Sequence, residues 1–530
     1  MTKEHHVYGP PGTGKTRYLS EQVERAVSKW GVNHVMVSSF TKAAAHEIAT
    51  RSVRLARENS GTLHSIAWRA MGKPTIAETE AASFNRTNPW QISAHRPELD
   101  ERDDQGPSLT RGDFLLERYS LMRNRMESID EGFPELRNFA RAWESWKEGN
   151  GFLDFCDLIE EAKRLNLPPG EPKVAFVDEA QDLSALEFSL VRHWATNMEQ
   201  VVFVGDDDQS IYDWAGADVS NLIDAPADST IVLKKSYRLP RAVHRVANEF
   251  IQKCKRRQPK EFLCRDEEGF AGQLGFNAET EALVDLIKDE LSDGRKVMLL
   301  ASCSYMLKVP LGMLRRAGVP WHNQYRVTNG LWNPIRIGPK STAHKLWCFL
   351  QGRMLDGEGP FWTGGQIERW MELVGPGVFR PGGRKMLKAI AEQRPAEWLG
   401  PVDWRAAFLS DPFHFWSGQL RPKLAWIWNN HATKYSRMID FTSKVTLTRG
   451  VEGLISVPTL TVGTIHSVKG AEADTVILLP DISAKAEDGG DPLLRTFYVG
   501  MTRARERLYL LRPRDTHLKC PFLGKMLPQL

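Results

Sequence analysis

The segment Gly9–Thr16 reads GPPGTGKT and fits the pattern G-x-x-x-x-G-K-[ST]. In such a loop successive backbone N–H groups curl around a phosphate at the start of a helix, and Gly12 and Gly14 supply conformational freedom that other residues lack. Gly9, Gly12, Thr13 and Gly14 would then cradle the phosphates, Lys15 would reach the β- and γ-phosphates, and the Thr16 hydroxyl would ligate Mg2+. A second segment, VAFVDEAQD from Val174 to Asp182, sets Asp178 and Glu179 at the end of a hydrophobic run. Asp178 suits holding Mg2+ and Glu179 suits polarising an attacking water. Acids commonly open the loop after a strand, so this pair alone carries little. Beside a phosphate loop it points to phosphoryl transfer from a nucleoside triphosphate.

These groups work only if a strand feeds the loop and a helix leaves it. HHVY precedes Gly9, and RYLSEQVERAVSKW follows Thr16 with apolar residues at helical spacing. Similar runs, HVMVSSF, KVAFVD, QVVFVGD, TIVLKKS, KVMLLAS and DTVILL, end in Gly, Asp, Ser or Thr, often ahead of amphipathic sequence. That is the rhythm of parallel α/β layers. It breaks twice. Residues 72–165 turn helical and charged, as in FLLERYSLMRNRM and LRNFARAWESW, and predict a helical insertion. Residues 352–450 are rich in Gly and Pro and carry Trp362, Trp370, Trp398, Trp404, Trp416, Trp426 and Trp428, after which strand character returns at TLTVGTIHS. The tryptophans read as the core of a small domain rather than an exposed stacking platform. The basic run KCKRRQPK, Lys253 to Lys260, reads as a solvated helix end and loop.

Composition bounds the rest. A chain of 530 residues, 42% hydrophobic and 26% charged, is not disordered and holds core for several domains. A net charge of +4 is too small for a molecule-wide field, so a polyanion must be gripped along a local track. The 6 cysteines are dispersed, without C-x-x-C or zinc spacing, which argues for a reducing compartment and against structural zinc. MTKEHHVYGPPG lacks the apolar core of a signal peptide, and no apolar run is long enough to span a bilayer. The expectation is a soluble protein of a bacterial or phage-infected host cytoplasm, with no membrane partner.

Further segments follow in order: FTKAAAHEIATR from Phe40, GTLHS from Gly61, DEAQD from Asp178, GDDDQSIYDWAGA from Gly205, SYRLP from Ser236, GTIHSVKGAEAD from Gly463 and YVGMTRAR from Tyr498. With the phosphate loop, this series resembles the UvrD/Rep branch of superfamily 1 DNA helicases over most of the chain outside the insertions. The resemblance implies an α/β fold with two RecA-like P-loop NTPase domains, parallel sheets flanked by helices, each bearing an inserted, mainly helical subdomain. The expected division is residues 1–71 and 166–233 for the first motor domain and 72–165 for its insertion. Residues 234–351 and 451–530 would form the second motor domain, with 352–450 as its Trp-rich insertion. By matching position, Gln209 would sense the γ-phosphate while Arg238 and Arg503 reach it from the second domain. Cations supplied across a cleft make hydrolysis depend on closure. Arg17 and Tyr237 would sandwich the base of ATP or another nucleotide, and Glu472 would contact the ribose. LDFCDLI near Asp154 resembles another signature of that family.

For nucleic acid, the resemblance implies that Phe40, Tyr212 and Trp214 stack on successive bases of single-stranded DNA. Thr41, Thr62, His64, Thr464 and His466 would touch its backbone through neutral donors. Single-stranded DNA and its junctions with duplex are the expected partners, along with a replication, repair or nuclease protein. Three departures stand out. Only MTKEHHVY precedes Gly9, where relatives carry a glutamine that reads adenine, so tolerance of GTP or other nucleotides is expected. W-A-G-A follows at Trp214 where relatives often have an arginine, and the chain ends at Leu530 without room for a nuclease domain. The expected activity is 3′→5′ movement on single-stranded DNA with strand separation, driven by Mg2+-dependent hydrolysis. One alternative is a translocase that strips proteins from DNA or powers a partner nuclease. Another is a P-loop switch with no nucleic-acid role, which leaves the later segments unexplained.

Overall fold

The computed structural model describes residues 2–40, 55–93, 110–324, 326, 330–335, 338–355, 359–410, 413, 416, 419–486 and 489–526. Strands β1 (Lys3–Tyr8), β2 (Val35–Ser38), β3 (Ser60–Gly61), β4 (Val174–Val177), β5 (Gln200–Gly205) and β6 (Ser229–Val232) form one parallel sheet in the order β3-β2-β4-β5-β1-β6. Successive residues point to opposite faces. Val7, Val35, Val37, Val174, Phe176, Val202 and Val204 pack on Leu19, Val23 and Ala26 of helix α1 (Lys15–Trp30). The residues between them, Tyr8, Met36, Ala175, Val177, Val201 and Phe203, pack under helices Leu63–Ala70, Phe155–Arg164 and Ala185–Ala195. Both faces are covered, which is why these strands read as continuous apolar runs.

Register then decides what meets at the sheet's end. Tyr8 lies opposite Gly205, and Val177 opposite Phe203. The loops leaving β1, β4 and β5 therefore emerge side by side, bringing the phosphate loop, Asp178–Glu179 and Asp206–Gln209 together, as expected outside the carboxyl ends of parallel strands.

The second lobe contributes β7 (Phe270–Asn277) and β8 (Val297–Ala301), then a small antiparallel sheet of β9 (Arg353–Met354), β10 (Pro360–Thr363) and β11 (Trp398–Leu399), then β12 (Leu460–Thr464), β13 (Ala473–Leu478) and β14 (Ala504–Arg512). Its main sheet is parallel in the order β12-β8-β13-β14-β7. Two of these strands, β7 (FAGQLGFN) and β14 (ARERLYLLR), lack the β-branched runs that mark the others. One face, with Val297, Leu299, Val462, Ile477 and Leu511, continues without a break into Phe349, Trp362, Trp370, Trp404, Phe413 and Trp416. Those tryptophans are core: Trp362 stands 5.0 Å from Trp416 and 5.1 Å from Phe413, and its N–H donates to the Phe349 carbonyl at 2.8 Å. Trp398 and Trp428 are exposed. The Trp-rich insertion thus shares its core with the sheet that carries it.

The other insertion has its own core, in which Phe84, Leu115, Leu116, Phe139 and Trp143 meet between helices Arg111–Asn124 and Pro134–Asn150. The LDFCDLI segment serves structure there. Asp154 caps helix Phe155–Arg164 and accepts from Trp143 Nε1 (3.0 Å), Lys147 Nζ (2.6 Å) and Arg123 Nη1 (3.3 Å). Among the described residues no helix is long and apolar enough to cross a membrane.

Candidate nucleotide-binding cleft and nucleic-acid interface

Gly12 and Gly14 have φ of 73° and 79°, in the left-handed region that side chains resist. A Cβ on Gly12 would also lie 2.3 Å from Arg238 Cβ, because the SYR segment of the second lobe sits on the loop. Tyr237 N donates to Gly12 O (2.8 Å), and Ser236 Oγ donates to Pro11 O (2.7 Å). Lys15 Nζ folds back to donate to Gly9 O at 2.9 Å, and Thr13 Oγ1 donates to Pro10 O at 2.8 Å. Helix α1 begins with no side-chain cap and no acid in its first turn. Its first N–H groups and the positive end of its dipole are left for an anion.

Glu179, the second residue after β4, adopts φ 51°, a conformation that costs a non-glycine residue about 1–3 kcal/mol and is characteristic of functional turns. Ser39 Oγ donates to Asp178 Oδ2 at 3.2 Å, while Asp178 Oδ1 is buried without a hydrogen-bond partner among the described residues. Burial, then the charge of Glu179, pushes the Asp178 carboxyl up to about 7. Burial acts on Glu179 as well, but Lys15 and Lys469, helped by Gln181 and Arg503, outweigh it and hold Glu179 down at about 2. An unfilled buried acceptor beside a phosphate loop fits a hard cation that takes oxygen ligands, so the residues present suit Mg2+.

From the second lobe, Arg503 immediately precedes β14 and Glu472 immediately precedes β13, and these strands are neighbours. Arg503 is 1% exposed and donates from Nη2 to Gln209 Oε1 at 2.8 Å and from Nε to Val499 O at 2.9 Å. Lys469 ion-pairs with Asp182 and donates to Gln209 O at 2.9 Å. Lys15, Glu179, Gln209 and Arg503 therefore face one cleft. Arg238 is turned onto its own lobe, with Nε 2.7 Å from Glu472 Oε2, and Arg505 holds the other oxygen of Glu472 at 2.6 Å. Burial opposes the Glu472 carboxylate, but Arg238 and Arg505 outweigh it and keep its pKa below the ordinary range. Arg17 pairs with Glu21 at 3.0 Å, and Tyr237 is 64% exposed, so both lie on accessible surface.

The aromatic residues expected to meet DNA also come together. The rings of Phe40 and Tyr212 stack at 4.9 Å and 23°, with Trp214 edge-on to Tyr212 at 5.8 Å and His466 at 6.2 Å. Lys469 Nζ lies 5.0 Å from the Tyr212 ring, so one lysine touches both the cleft and the aromatic group. Thr62 Oγ1 accepts from Ser65 N (3.2 Å), and Thr464 Oγ1 accepts from Ser467 N (3.2 Å). Each such bond uses a lone pair and not the hydroxyl proton. His64 stands 3.4 Å from Glu187 and 5.7 Å from the Phe155 ring. With Phe40, Thr62, Trp68, Asn124 and Phe155 it lines a cavity of about 920 Å3. Thr41 lies outside the described residues.

Residues 1–230 match the family model described as UvrD/REP helicase N-terminal domain, and residues 459–511 match that of the UvrD-like helicase C-terminal domain. The chain belongs to the UvrD/Rep-like helicase family. Similar curated proteins include the ATP-dependent DNA helicase PcrA of Staphylococcus epidermidis RP62A, 25% identical over 278 residues, and that of Staphylococcus aureus Mu50, 26% identical over 278 residues. Each match covers 47% of this chain and 38% of the relative's length.

In this UvrD/Rep-family chain one reading of the sequence is overturned in part. Lys253, Lys255 and Arg256 of KCKRRQPK are exposed after helix Arg241–Ile251, as a solvated helix end and loop would be, but Arg257 and Lys260 are not. Arg257 makes paired bonds of 2.8 and 2.7 Å to Asp208, and the Lys260 side chain, 1% exposed, lies among Asp206, Asp207 and Asp208. Three buried aspartates at the head of a loop demand cations, but nothing local says that they come from 49 or more residues downstream. Lys469 was likewise not singled out by the sequence reading, although it stands inside GTIHSVKGAEAD.

Proposed function

We propose that the chain is an NTP-driven DNA motor that moves 3′→5′ along single-stranded DNA and separates duplex, with residues 1–71 and 166–233 as one motor domain and 234–351 and 451–530 as the other. The observation that carries this reading is that one loop, following β5, bears Gln209 against Arg503 and, three and five residues on, Tyr212 and Trp214 in the aromatic group. A rearrangement around a γ-phosphate reaches the bases through a few covalent bonds.

In this reading Lys15 leaves the Gly9 carbonyl to bind the phosphates of ATP. Thr16 and Asp178 would hold Mg2+, which when bound neutralises phosphate charge. Glu179, kept ionised by its cationic neighbours, orients and polarises the attacking water. Gln209 and Arg503 meet the γ-phosphate, and Arg238 joins them by exchanging Glu472 for phosphate as the cleft closes, which releases Glu472 toward the ribose. Arg17 and Tyr237 hold the base. Phe40, Tyr212 and Trp214 stack on bases, while Thr62, His64, Thr464 and His466 contact the strand between them. A partner protein at a replication or repair junction suits such a motor.

The test is nucleotide hydrolysis with and without single-stranded DNA, followed by strand separation on duplexes bearing a 3′ or a 5′ overhang. Stimulation by DNA and separation of the 3′-tailed substrate are expected. Hydrolysis indifferent to DNA would refute the reading, and separation confined to the 5′-tailed substrate would refute the polarity.

A further inference from the structure

The acids of GDDDQ and the cations of KCKRRQPK form a buried cluster that the chemistry above leaves unused. Asp206, Asp207 and Asp208 are at most 1% exposed. Lys260 Nζ lies 3.1 Å from Asp206 Oδ1 and 2.9 Å from Asp208 Oδ2 and also pairs with Asp207, while Arg257 grips Asp208 with two parallel bonds. Gln258 N donates to Asp207 Oδ2 at 2.8 Å. Burial works against the Lys260 ammonium, but Asp206, Asp208 and Asp207 outweigh it and keep its pKa above the ordinary lysine value.

The cluster straddles the lobes. Its acids extend β5 of the first sheet, and its cations belong to a segment pinned on the second lobe's helix Gly490–Met501. There Asp491 accepts from Lys255 N (2.9 Å) and Arg256 N (2.8 Å), and Arg495 Nη2 donates to Arg256 O (2.5 Å). The cluster also dictates how Gln209 points. Asp206 Oδ2 accepts from Gln209 Nε2 at 2.7 Å, and Arg503 donates to Gln209 Oε1 at 2.8 Å. With a carboxyl oxygen accepting on one side and a guanidinium donating on the other, the amide has one satisfied orientation.

We propose that Lys260 and Arg257 are positioning residues for Gln209, and that their cluster with Asp206–Asp208 is the pivot across which cleft closure is passed to the base-stacking loop. The inference rests on the reading of the chain as a DNA-dependent NTPase. Other contacts across the cleft, such as Arg503 to Gln209, Lys469 to Asp182 and Ser236 to Pro11, are single bonds that can exchange for ligand or water. Pulling the cluster apart would leave several uncompensated buried charges, so the lobes turn about it and not through it. Because the pivot clamps the residues just before Gln209, movement of Arg503 against Gln209 is relayed forward to Tyr212 and Trp214.

The test uses the full chain carrying Lys260→Met, and separately Arg257→Lys, which keeps the charge but loses the paired geometry. For Lys260→Met the DNA-stimulated kcat should fall roughly 10- to 100-fold, the effect of displacing a reacting-site group by about 1 Å. KM for nucleotide and Kd for single-stranded DNA should stay within about threefold of wild type. Arg257→Lys should show a smaller loss of the same kind, and it carries the test if thermal melting shows Lys260→Met to be unfolded. Unchanged kcat per folded molecule, or a loss seen only as a raised KM, would overturn the assignment. A wild-type chain that hydrolyses nucleotide without responding to DNA would overturn the functional reading and this inference with it, whereas normal wild-type stimulation with unaffected variants overturns the inference alone.

Discussion

Replacing Trp214 by alanine separates a nucleic-acid role from a packing role. The side chain is 39% exposed, meets Tyr212 edge-on at 5.8 Å, and sits in the one-turn helix Asp213–Ala215. The greater part of this large side chain is nonetheless covered, so the fold should lose about 2–3 kcal/mol, and thermal melting first checks that the variant is folded. A base stacked on an indole contributes about 1–3 kcal/mol by alanine substitution, equivalent to roughly 5- to 150-fold in Kd. The assay is fluorescence anisotropy of a labelled single-stranded oligonucleotide at one fixed salt concentration, because phosphate contacts make the affinity salt-dependent. Hydrolysis is followed in parallel with and without DNA. The expected result is a Kd weakened within that range, normal DNA-free hydrolysis and poor strand separation. Trp214→Ala protein that binds DNA and separates duplex like wild type would refute the stacking assignment.

Lys15→Ala should abolish turnover in a phosphate-release assay, since it removes the phosphate contact and a cation that keeps Glu179 ionised; readily measurable hydrolysis would refute its role. Trp362→Ala empties a fully buried site and removes one of the donors to the Phe349 carbonyl, so chemical denaturation should show a loss of about 3–5 kcal/mol; a loss near zero would mean that the second lobe's core does not pack on this ring. Burial opposes the Asp154 carboxylate, but Lys147 and Arg123 outweigh it and hold its pKa below the ordinary aspartate value. Its stabilisation is therefore present above about pH 4 and lost as pH falls through the lower folded value. Asp154→Asn should lower the thermal midpoint at pH 7, and the gap from wild type should narrow below about pH 4. A gap independent of pH would remove the ionic explanation.

Features that depend on neighbours along the chain were legible before the fold was seen. GPPGTGKT announces itself because its job is done by consecutive backbone N–H groups held between a strand and a helix. Runs such as VAFV are readable because a strand covered on both faces must be apolar throughout. The buried positions of Trp362, Trp370 and Trp404 follow the ordinary preference of large aromatics for core. β7 was not legible: it is the edge strand of its sheet, where half-exposed positions tolerate the glycines and polar residues of FAGQLGFN. β14 opens with ARER because its first residues adjoin the cleft and its rim, where charge is needed.

The amino-acid order by itself determined the phosphate loop, the acid pair after β4, the parallel layering and the family to which the chain belongs, since each is a local pattern of spacing and side-chain type. Only the tertiary structure decided which charges neutralise one another. It turned Arg238 onto Glu472, made Lys469 a bridge between Asp182, Gln209 and Tyr212, and buried Lys260 and Arg257 among Asp206, Asp207 and Asp208. The physical reason is that a buried charge needs a partner in space and not in sequence. The strand register that sets β1, β4 and β5 side by side, and the docking of the second lobe against them, chooses that partner.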